Sequence, residues 1–529
     1  MTTNIKILPR YVKQIGNIRP FQRDTIERMN NKNSSSLLFV EAPVGSGKSY
    51  IIRRLIELPE IKTMPLILCY PTKILMESQI SSIIRDLAEV TIWPNDDFLT
   101  GKYNIFFYSS DTIVDYLKKN ITNSTLNRTE LIQNTLNQIT IAKGRDVIVT
   151  SPDVLFGIMV ANWYNQSKRI QSYLKNAIIV FDEFHIYASL ENFTELVKKL
   201  QKTIARKILF LSATPVKSSS FNELTAKIQC EEISFEKSKG NEHDIIFNYP
   251  LNLTIHSYRY TDINATISTI IPLLENLPKP CAVIFDSIFR LKHIRGNFPD
   301  SLTKKYRIIE WHGMRKDKNI TLSDRDIILG TSSIEVGIDM KFRSLIFESR
   351  YWASAIQRLG RVGRFCDGIV HFLTNIDFNP YLETKDIWDR SEFENKVLRK
   401  ALKDSDIADS TGMAFRGDNY NFLLHDVGNN EWYFYNESLF SMYSVEDLVD
   451  DWRTLSYNSK RECLLNKKYP AEQIDTFLLR DKVFPFWGII EGKLQNDYSK
   501  IYPRYNPELN ILEIRFKDHD IYYEFIGEE

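Results

Sequence analysis

The amino-acid sequence predicts an α/β protein with two doubly wound parallel-sheet lobes in tandem and a smaller C-terminal α+β accessory domain. Over residues 37–375, short apolar runs alternate with longer amphipathic segments, in two sets separated by a polar stretch. Apolar strands between helix-length segments are typical of βαβ units, whose parallel sheet is buried on both faces. After residue 375, polar and apolar residues alternate singly, which favours antiparallel strands.

The strands of the two lobes are assigned from the apolar runs. The first set ends near Pro215 and the second begins near Leu251. We therefore place the first lobe at 1–216, a linker with a peripheral helix at 217–250, and the second lobe at 251–375. The predicted strands are Leu37–Val40, Pro65–Cys69, Asp146–Thr150, Ala177–Phe181, Lys207–Leu211, Cys281–Phe285, Arg307–Glu310, Asp326–Leu329, Leu345–Phe347 and Ile369–Leu373.

The accessory domain is placed at 376–529. Its 19 Lys and Arg against 30 Asp and Glu give a net charge of −11, whereas residues 1–375 carry +12. The basic part suits a polyanionic ligand, and solvated surface charge is an equally good interpretation of both regions. The predicted helices are Asp386–Lys403 and Val445–Arg461, and the predicted strands are Phe486–Leu494, Leu509–Phe516 and Asp520–Ile526.

The composition is that of a folded protein outside the membrane. With 529 residues and 43% hydrophobic residues, the chain suits about two to four compact units. No run approaches the ~18 uncharged apolar residues of a membrane span, and the first residues lack the apolar core of a signal peptide. The five cysteines form no C-x-x-C pair and support neither a zinc site nor a disulfide framework. We expect a cytoplasmic protein with buried free thiols.

A glycine-rich segment, Glu-Ala-Pro-Val-Gly-Ser-Gly-Lys-Ser at 41–49, follows the first predicted strand and precedes the predicted helix Tyr50–Leu58. This is the position of a phosphate-binding loop, whose glycines let backbone N–H groups point at phosphate oxygens. Lys48 is expected to reach the β- and γ-phosphates of ATP, and the Ser49 hydroxyl to ligate Mg²⁺. The predicted ATP-binding residues of this loop are Gly45, Ser46, Gly47, Lys48 and Ser49.

Two carboxylates follow the apolar strand Ala177–Phe181. Because they end this strand, Asp182 and Glu183 are predicted to lie at the carboxyl edge of the parallel sheet. Ligands bind at this edge in doubly wound folds. Asp182 is expected to hold Mg²⁺ through water, and Glu183 to polarise the attacking water. Both are therefore candidate catalytic residues; an acidic turn at a strand end is the alternative.

Nearby polar residues are predicted to couple hydrolysis to lobe movement. His185 follows the carboxylate pair and is expected to sense the nucleotide state across to the second lobe. Ser212 and Thr214 follow the last strand of the first lobe, where they would link hydrolysis to movement. A Ser-x-Thr triplet is a weak motif alone, and its place in the order of motifs is what supports it.

The segment Ser354–Arg364 carries three arginines at a spacing of three residues, which predicts that they lie on one side of a helix. Arg361 and Arg364 are candidate catalytic residues that would act as fingers on the γ-phosphate bound by the first lobe. Gln357 and Arg358 are predicted to couple the two lobes. An arginine-rich helix that binds phosphodiesters is the alternative.

With these motifs in this order, residues 15–375 resemble superfamily 2 helicases. The resemblance implies two RecA-like lobes, an ATPase that uses ATP and Mg²⁺, and an adenine-reading role for Gln22. It also implies nucleotide contacts from Gly337 and Asp339, within the stretch 330–339. The residues implied to grip a nucleic-acid backbone are Pro71, Thr72, Thr150, Ser151, Ser287, Thr331 and Ser332.

Within this superfamily, the Asp-Glu-Phe-His sequence, the stretch Thr331–Asp339 and Ile356-Gln357-Arg358 are most similar to the helicase of type I CRISPR systems. Many such helicases carry a fused HD nuclease, whose metal ligands this sequence lacks. His243-Asp244 lies in the polar linker and is interpreted as a solvated loop. The resemblance thus implies a stand-alone helicase subunit in antiviral defence, with single-stranded DNA, a Cascade-type surveillance complex and a separate HD-type nuclease as partners.

Other functions stay open at this stage. Another superfamily 2 enzyme, such as a repair, viral, restriction or RNA helicase, would share the same core. A nucleotide-gated scaffold is a hypothesis of a different class, against which the complete set of Lys48, Asp182, Glu183 and arginines argues. We also expect the acidic domain to be a docking module, so that deletion after Asn375 would leave the ATPase intact.

Overall fold

The computed structural model describes most of the two lobes and isolated strands beyond them. Past residue 403 it describes strands alone, without their side chains. The described residues are 2–31, 33–59, 64–71, 73–85, 87–93, 102–108, 145–159, 174–186, 191–214, 219–228, 230–257, 263–285, 291, 294–311, 322–331, 334, 340–349, 352–374, 376–383, 385–403, 421–426, 431–436, 441–444, 487–492, 502–506, 511–515, 520–524 and 527–528.

The strands are numbered in chain order. They are β1 (Thr2–Ile7), β2 (Arg10–Val12), β3 (Leu37–Glu41), β4 (Leu66–Cys69), β5 (Val90–Trp93), β6 (Tyr103–Tyr108), β7 (Arg145–Thr150), β8 (Ala177–Asp182), β9 (Ala205–Ser212), β10 (Cys230–Ser234), β11 (Ile245–Asn248), β12 (Leu251–Ser257), β13 (Cys281–Ile284), β14 (Arg307–Trp311), β15 (Asp326–Gly330), β16 (Ser344–Glu348), β17 (Gly368–Thr374), β18 (Ile387–Trp388), β19 (Asn421–Asp426), β20 (Glu431–Asn436), β21 (Ser441–Ser444), β22 (Trp487–Gly492), β23 (Tyr502–Asn506), β24 (Ile511–Arg515), β25 (Asp520–Glu524) and β26 (Gly527–Glu528).

Helices connect most of the lobe strands. The α-helices are Pro20–Asn30, Lys48–Glu57, Lys73–Arg85, Pro152–Met159, Glu191–Thr203, Ser219–Lys227, Ile263–Asn276, Asp300–Lys305, Trp352–Leu359, Arg390–Glu392 and Arg399–Lys403. A π-helical segment, Phe393–Leu398, joins the last two, and the short 3₁₀ segments are Phe184–Ile186, Phe235–Ser238 and Asn379–Tyr381. None of the described helices combines the length and the apolar character that a membrane crossing requires.

The contacts divide the described chain into two compact units. The first unit comprises residues 13–239, and the second comprises residues 2–12 together with 240–403 and the strands beyond. The first unit contains an eight-stranded sheet in the order β10-β3-β9-β8-β4-β7-β6-β5, and all of its neighbouring pairs are parallel. Its central strands β3, β9, β8 and β4 are almost entirely buried, as expected for a parallel sheet covered on both faces.

The second unit contains an eight-stranded sheet in the order β14-β15-β13-β16-β17-β12-β1-β18. Its pairs are parallel except for β1 against β12, which is antiparallel. Both lobes therefore have the doubly wound architecture that the apolar runs predict, and the predicted fold class is confirmed. All ten predicted lobe strands are present, with ends shifted by a residue or so.

The boundaries of the units differ from those predicted. Strand β1, placed by sequence in the first lobe, joins the second sheet, because its alternate residues Ile5 and Ile7 pack into the core of the second unit. Strand β10, inside the predicted linker, extends the first sheet by pairing with β3. The helix Ser219–Lys227 matches the peripheral helix expected there.

Residues 376–403 also differ from the prediction, since they belong to the second lobe rather than to a separate domain. Strand β18 pairs with β1, and the helical segments after Asp389 pack on the same core. Their side chains fill it because an apolar residue recurs with helical spacing. The buried core residues of this segment are Phe378, Leu382, Trp388, Phe393, Val397, Leu398, Ala401 and Leu402.

Beyond residue 403, the described strands form a five-stranded sheet, β21-β20-β19-β22-β26, and a three-stranded antiparallel sheet, β23-β24-β25. The three strands predicted near the C-terminus correspond to β22, β24 and β25. Contrary to the expected antiparallel pattern, β22 pairs in parallel with β19. The predicted helix Val445–Arg461 lies outside the described residues.

A ladder of phenylalanines crosses the centre of the first sheet. Phe210 lies between Phe39 and Phe181 in register, with ring centroids 4.6 Å and 5.5 Å away and nearly parallel planes. Phe184 contacts Phe210 edge-on at 5.3 Å. Such aromatic pairs contribute about 0.5–1.5 kcal/mol each beyond area burial. They hold together the three strands whose carboxyl ends carry the candidate site.

A histidine pair on the second sheet predicts acid sensitivity of that unit. The Nε2 atom of His256 lies 2.8 Å from the Nδ1 atom of His371 on adjacent strands. Burial, and next the neighbouring His256, lower the pKa of His371 from 6.5 to about 4. The unfolded chain therefore binds a proton before the folded chain does. Stability falls as the pH decreases from about 6.5 to about 4.

We expect the His371→Gln variant to lose less thermal stability than the wild type between pH 7 and pH 4.5, by several degrees in melting temperature. The matched control is His243→Gln, because the His243 side chain is 86% exposed and should leave the pH dependence unchanged. Thermal unfolding followed by circular dichroism measures both. Equal acid destabilisation in wild type and His371→Gln would show that this pair does not control it.

Candidate functional site

The motifs of the first unit meet at one edge of its sheet. The strands β3, β9, β8, β4 and β7 are neighbours in that order and run parallel, so their carboxyl ends lie side by side. Each of these ends carries a predicted motif. In strand order the predicted motifs begin at Glu41, Ser212, Asp182, Pro71 and Thr150.

The phosphate-binding loop has the backbone that its glycines predict. Gly45 and Gly47 have φ values of 82° and 87°, a left-handed conformation that other residues adopt only with strain. A Cβ atom at position 47 would lie 2.8 Å from Gln22 Nε2. Lys48 begins the helix, is 91% buried and donates from Nζ to the Ala42 carbonyl at 2.9 Å. The ammonium group is therefore held beneath the loop by a backbone oxygen that a phosphate oxygen can replace.

Two residues from the start of the helix Pro20–Asn30 fasten this loop. Gln22 donates from Nε2 to the Gly47 carbonyl at 2.8 Å and accepts from the Arg19 N–H at 2.9 Å. The Arg19 guanidinium donates to the Ser46 carbonyl. Sequence reasoning identified Gln22 but missed Arg19, although its position directly before Pro20-Phe21-Gln22 was a usable signal. The predicted adenine contact of Gln22 stays a prediction.

The carboxylate pair lies beside Lys48. Burial and the neighbouring Glu183 raise the pKa of Asp182 to about 7, while the charge of Lys48 acts in the opposite direction. Asp182 accepts from the Glu183 N–H at 3.1 Å. Glu183 has a φ of 49°, a left-handed conformation that costs a non-glycine residue about 1 kcal/mol or more. Strain of this kind at a strand end is typical of functional positions.

A series of polar contacts connects the carboxylates with the Ser-Ala-Thr segment. Nδ1 of the buried His185 lies 3.4 Å from Glu183 Oε2 and 2.8 Å from Ser212 Oγ. Ser212 Oγ accepts from the Thr214 N–H at 2.9 Å, and the Ser212 carbonyl accepts from the Ala42 N–H at 3.1 Å. The path thus returns to the phosphate-binding loop. The expected signal from His185 to the second lobe stays a prediction.

Tyr70 is a candidate site residue that sequence reasoning missed. The register of β4 against β8 places it opposite Asp182, one residue beyond the Cys69 and Phe181 pair. Its side chain is fully buried, and burial, with Asp182 next, raises the pKa of its hydroxyl well above the ordinary range. No local sequence pattern distinguishes this tyrosine from a core residue, since its role depends on the neighbouring strand.

Several buried hydroxyls at this edge retain hydrogen-bonding capacity. Within the described residues, the side-chain oxygens of Ser46, Tyr70 and Thr214 have no hydrogen-bond partner. Buried polar groups in proteins are nearly always bonded, so a cluster of such groups at one sheet edge indicates a polar ligand. A nucleotide phosphate and its hydration shell would supply the missing partners.

The residues expected to hold Mg²⁺ suit that ion. Asp182 is buried, yet the only hydrogen bond described for its carboxylate comes from one backbone N–H, and burial followed by the charge of Glu183 raises its pKa. A divalent cation prefers such an oxygen ligand and would stabilise its charged form. Ser49, in the first turn of the neighbouring helix, is exposed and offers a hydroxyl oxygen. In the described part of the chain, no group of three or more His, Cys, Asp or Glu side chains could hold a metal ion by itself.

The predicted nucleic-acid contacts of the first unit are largely engaged within the protein. The Thr150 hydroxyl donates to the Tyr108 carbonyl at 3.0 Å, and Ser151 Oγ accepts from the Val154 N–H at 3.4 Å at the start of a helix. Pro71 is buried. In the second unit, Thr331 follows β15 and is 3% exposed. The other predicted nucleic-acid contacts, Thr72, Ser287 and Ser332, lie outside the described residues, as do Gly337 and Asp339, which were predicted to contact the nucleotide.

The arginine motif differs from its predicted form. The helix ends at Leu359, so Arg361 and Arg364 lie in the turn after it and do not share a helix face with Arg358. The helix ends here for a reason that is local in the sequence, because Gly360 follows its last residue and Gly363 adopts a φ of 73°.

Within the helix, Gln357 and Arg358 are buried, and Arg358 donates to the Glu348 carbonyl. Arg361 is 7% exposed. Arg364 is partly exposed and donates from Nε to the Gly360 carbonyl at 2.8 Å. Arg364 is thus the more accessible of the two predicted fingers.

Two known families match separate parts of the chain. The family described as DEAD/DEAH box helicase matches residues 19–220, which contain the phosphate-binding loop and the carboxylates. The family described as CRISPR-associated nuclease/helicase Cas3, C-terminal, matches residues 262–367, which contain the arginine motif. The chain carries a superfamily 2 helicase core. This helicase core is an enzyme that couples ATP hydrolysis to nucleic-acid unwinding. No curated protein matches the chain.

Solved structures agree on the fold of the helicase core. A crystal structure of the DUF1998 helicase MrfA bound to DNA has a TM-score of 0.52 at 14% identity, with 99% of this chain and 82% of that chain covered. MrfA bound to DNA and AMPPNP gives 0.51 at 13% identity, covering 100% and 81%. Mycobacterium smegmatis Lhr bound to ssDNA and AMP-PNP gives 0.43 at 16%, covering 67% and 46%. At such identities the likeness to MrfA shows the fold alone.

Proposed function

We propose that the helicase core hydrolyses ATP at the carboxyl edge of its first sheet through Lys48, Asp182 and Glu183. The observation that carries this proposal is the convergence of these charged groups at one edge that also holds unpartnered buried hydroxyls. Lys48 exchanges the Ala42 carbonyl for phosphate oxygens, and the loop N–H groups bind the remaining oxygens. Glu183 orients the attacking water and accepts its proton.

Asp182 and Ser49 would hold Mg²⁺, which supplies Lewis-acid polarisation of the phosphate when it is bound. The two carboxylates, Asp182 and Glu183, are also fixed in position. Because Asp182 is buried and Glu183 is held in a left-handed conformation, both carboxylates keep a fixed geometry before ATP arrives. Preorganised charge of this kind costs no rearrangement during the reaction.

The path from Glu183 through His185 to Ser212 provides a route for coupling. A change in the charge of Glu183 alters its contact with His185, and His185 in turn holds Ser212. We propose that Arg361 and Arg364 of the second unit act on the γ-phosphate, as arginine fingers worth ~10³–10⁵-fold in rate. Gln357 and Arg358, buried in the preceding helix, would fix the helix from which the turn extends.

We further propose that this core is the motor of a type I CRISPR interference system and translocates on single-stranded DNA. The match of residues 262–367 to the C-terminal part of the CRISPR-associated nuclease/helicase supports this role. Residues 1–375 carry a net charge of +12, which suits a polyanionic strand. A repair, viral, restriction or RNA helicase would share the core but would require no surveillance complex.

Cutting of the DNA is assigned to a separate HD-type nuclease. The His243-Asp244 pair lies in a turn, where the His243 side chain is 86% exposed and Asp244 accepts from the Asn241 N–H at 2.9 Å. We expect no degradation of single-stranded DNA by the purified protein with ATP and Mg²⁺, Mn²⁺ or Ni²⁺. Cutting that disappears in the His243→Ala variant would overturn this assignment.

The recruiting partner is proposed to bind the acidic part of the chain. Residues 404–529 contain 13 Lys and Arg against 24 Asp and Glu, so the net charge of −11 lies entirely beyond the second lobe. A polyanionic strand would be repelled there, whereas a basic protein surface would be attracted. The surveillance complex or the nuclease is expected to present such a surface.

The test of the CRISPR role is ATP-dependent DNA loss in a reconstituted system. Surveillance complex bound to target DNA, the separate nuclease and the helicase should together degrade the target, and omission of the helicase should limit the products to short cuts. Target DNA that is degraded equally without the helicase would reject the role. Stimulation of the ATPase by RNA but not by DNA would favour an RNA helicase instead.

A further inference from the structure

A buried ionic cluster lies behind the turn that carries the predicted arginine fingers. We define the cluster as Arg10, Arg390 and Glu394, whose exposed fractions are 8%, 1% and 8%. Its members come from distant parts of the sequence, since Arg10 begins β2 and the other two lie in the helical segment after Asp389. Burial of three ionisable groups is costly unless they serve one another or a neighbouring backbone.

Glu394 connects the two arginines. Its Oε2 atom accepts from Arg10 Nη2 at 2.5 Å, and its Oε1 atom lies 3.4 Å from the donor Nε of Arg390. Arg10 also donates to the Ser391 hydroxyl at 3.1 Å. Two cations thus share one anion, and the cluster carries a net positive charge inside the protein.

Arg390 joins this cluster to the arginine motif. Its Nη2 atom donates at 2.8 Å to the carbonyl of Leu359, the last residue of the helix Trp352–Leu359. A cation that binds a terminal helix carbonyl fixes the point at which the helix stops. Arg361 and Arg364 follow within five residues of that point.

Arg390 also lies against the turn itself. Its Nη1 atom is buried and has no hydrogen-bond partner among the described residues. A Cβ atom at Gly363 would lie 3.6 Å from this nitrogen and 2.9 Å from the Tyr249 carbonyl. The Gly363 carbonyl accepts from the Tyr249 N–H at 2.6 Å. The turn is therefore held by Tyr249, and the Arg390 guanidinium lies close to Gly363 within it.

The charge of the cluster acts on the fingers as well. Burial is the main cause that lowers the pKa of Arg390, and the positive charge of Arg364 lowers it further, so the two guanidinium groups repel. This repulsion disfavours conformations in which Arg364 turns toward the cluster. A neutral side chain of the same volume would fill the space but would neither bind the Leu359 carbonyl nor direct Arg364 outward.

We propose that Arg390 is a positioning residue for ATP hydrolysis, which sets the turn that presents Arg361 and Arg364 by binding the end of their helix. The proposal rests on the proposed role of these two arginines as fingers. Misplacement of a catalytic group by ~1 Å can lower a rate by about 10²-fold. Loss of Arg390 should therefore affect turnover more than ATP binding, which depends on the first unit.

The main test compares Arg390→Met with Arg399→Met by steady-state ATPase kinetics in the full chain. Arg399 lies in the same helical region as Arg390. It contacts the first residue of the helix Trp352–Leu359, since its guanidinium carbon is 4.4 Å from the centre of the Trp352 ring. Arg390→Met should lower kcat by about ten-fold or more with KM changed less than about two-fold. Arg399→Met should keep kcat within about two-fold of wild type, even where its melting temperature falls.

A second measurement separates positioning from stability. Arg390→Met should bind ATP normally but should form the complex with ADP and aluminium fluoride at least about ten-fold less tightly, because that analogue requires the fingers. Arg390→Lys keeps the charge and one hydrogen bond, and we expect a kcat between those of Arg390→Met and wild type. If Arg390→Met does not fold, the lysine variant alone carries the test.

The outcomes distinguish the inference from the proposed function. Loss of turnover in Arg364→Ala together with normal kcat in Arg390→Met, or in Arg390→Lys where that variant alone folds, overturns the positioning role and leaves the fingers intact. Normal turnover when both Arg361 and Arg364 are replaced by alanine overturns the finger role and the positioning inference with it. Equal losses of kcat in Arg390→Met and Arg399→Met would mean that Arg390 has a structural role only.

Discussion

The Glu183→Gln variant is expected to hydrolyse ATP about 10²- to 10⁴-fold more slowly than the wild type, the range typical of losing a general base. Its affinity for ATP should be unchanged, because the phosphate oxygens are bound by Lys48 and the loop. The amide keeps the size of the carboxylate but cannot accept a proton from the attacking water. Single-turnover hydrolysis and binding of a fluorescent ATP analogue measure the two effects separately.

The Lys48→Ala variant should fail at the earlier step and bind ATP weakly. A matched control is Glu57→Gln, a carboxylate at the end of the helix that Lys48 begins, which pairs with Arg54 on the surface at 2.9 Å. An exposed ion pair of this kind contributes about 0–1 kcal/mol to stability, so the control should retain wild-type turnover. Wild-type turnover in Glu183→Gln would instead show that another group activates the water.

Truncation of the chain is expected to have opposite results at two neighbouring points. A chain that ends at Lys403 should keep a folded second lobe and its ATPase. Contrary to the expectation from the sequence, a chain that ends at Asn375 should lose the fold of that lobe and with it the ATPase, because it lacks Trp388, Phe393 and other fully buried core residues. Each buried apolar side chain contributes about 1.5–3 kcal/mol, and a whole domain is stable by only about 5–15 kcal/mol.

The two truncated chains are compared by thermal unfolding and by nucleic-acid-stimulated ATPase. The longer one should also lose recruitment by the surveillance complex, since residues 404–529 carry the proposed docking surface. A folded and fully active chain ending at Asn375 would show that residues 376–403 are dispensable. Loss of ATPase activity in the folded chain that ends at Lys403 would show that the motor requires residues 404–529.

The motifs that could be predicted from the sequence are those whose chemistry is local. Gly45, Gly47 and Lys48 lie in one loop, and the apolar strand before Asp182 is continuous in the sequence. Runs such as Ala177–Phe181 are buried on both faces and therefore identify parallel strands without knowledge of their neighbours. Because neighbouring strands of such a sheet run parallel, their carboxyl ends share one edge. The order of the strands is seen only in the structure.

The features that escaped prediction depend on residues far apart in the chain. Strand β1 joins the second sheet by pairing antiparallel with β12. The two strands are more than 240 residues apart in the sequence, so no local pattern indicates that they pair. Tyr70 becomes a site residue only through the register of β4 against β8. Arg390 binds the last carbonyl of the arginine helix, at Leu359, from 31 residues further along the chain, and the regular spacing of the arginines gives no sign of this contact. Contacts between residues that are far apart in the sequence produce no periodic pattern in it.

The central claim is that ATP hydrolysis by this chain drives movement along nucleic acid. The most direct measurement is strand displacement from a partial DNA duplex with a single-stranded tail, in the presence and absence of ATP. We predict displacement that requires ATP, stops with a non-hydrolysable analogue and is lost in Lys48→Ala and Glu183→Gln. ATP hydrolysis without any displacement or translocation on DNA or RNA, or strand separation that proceeds equally without ATP, would contradict the claim.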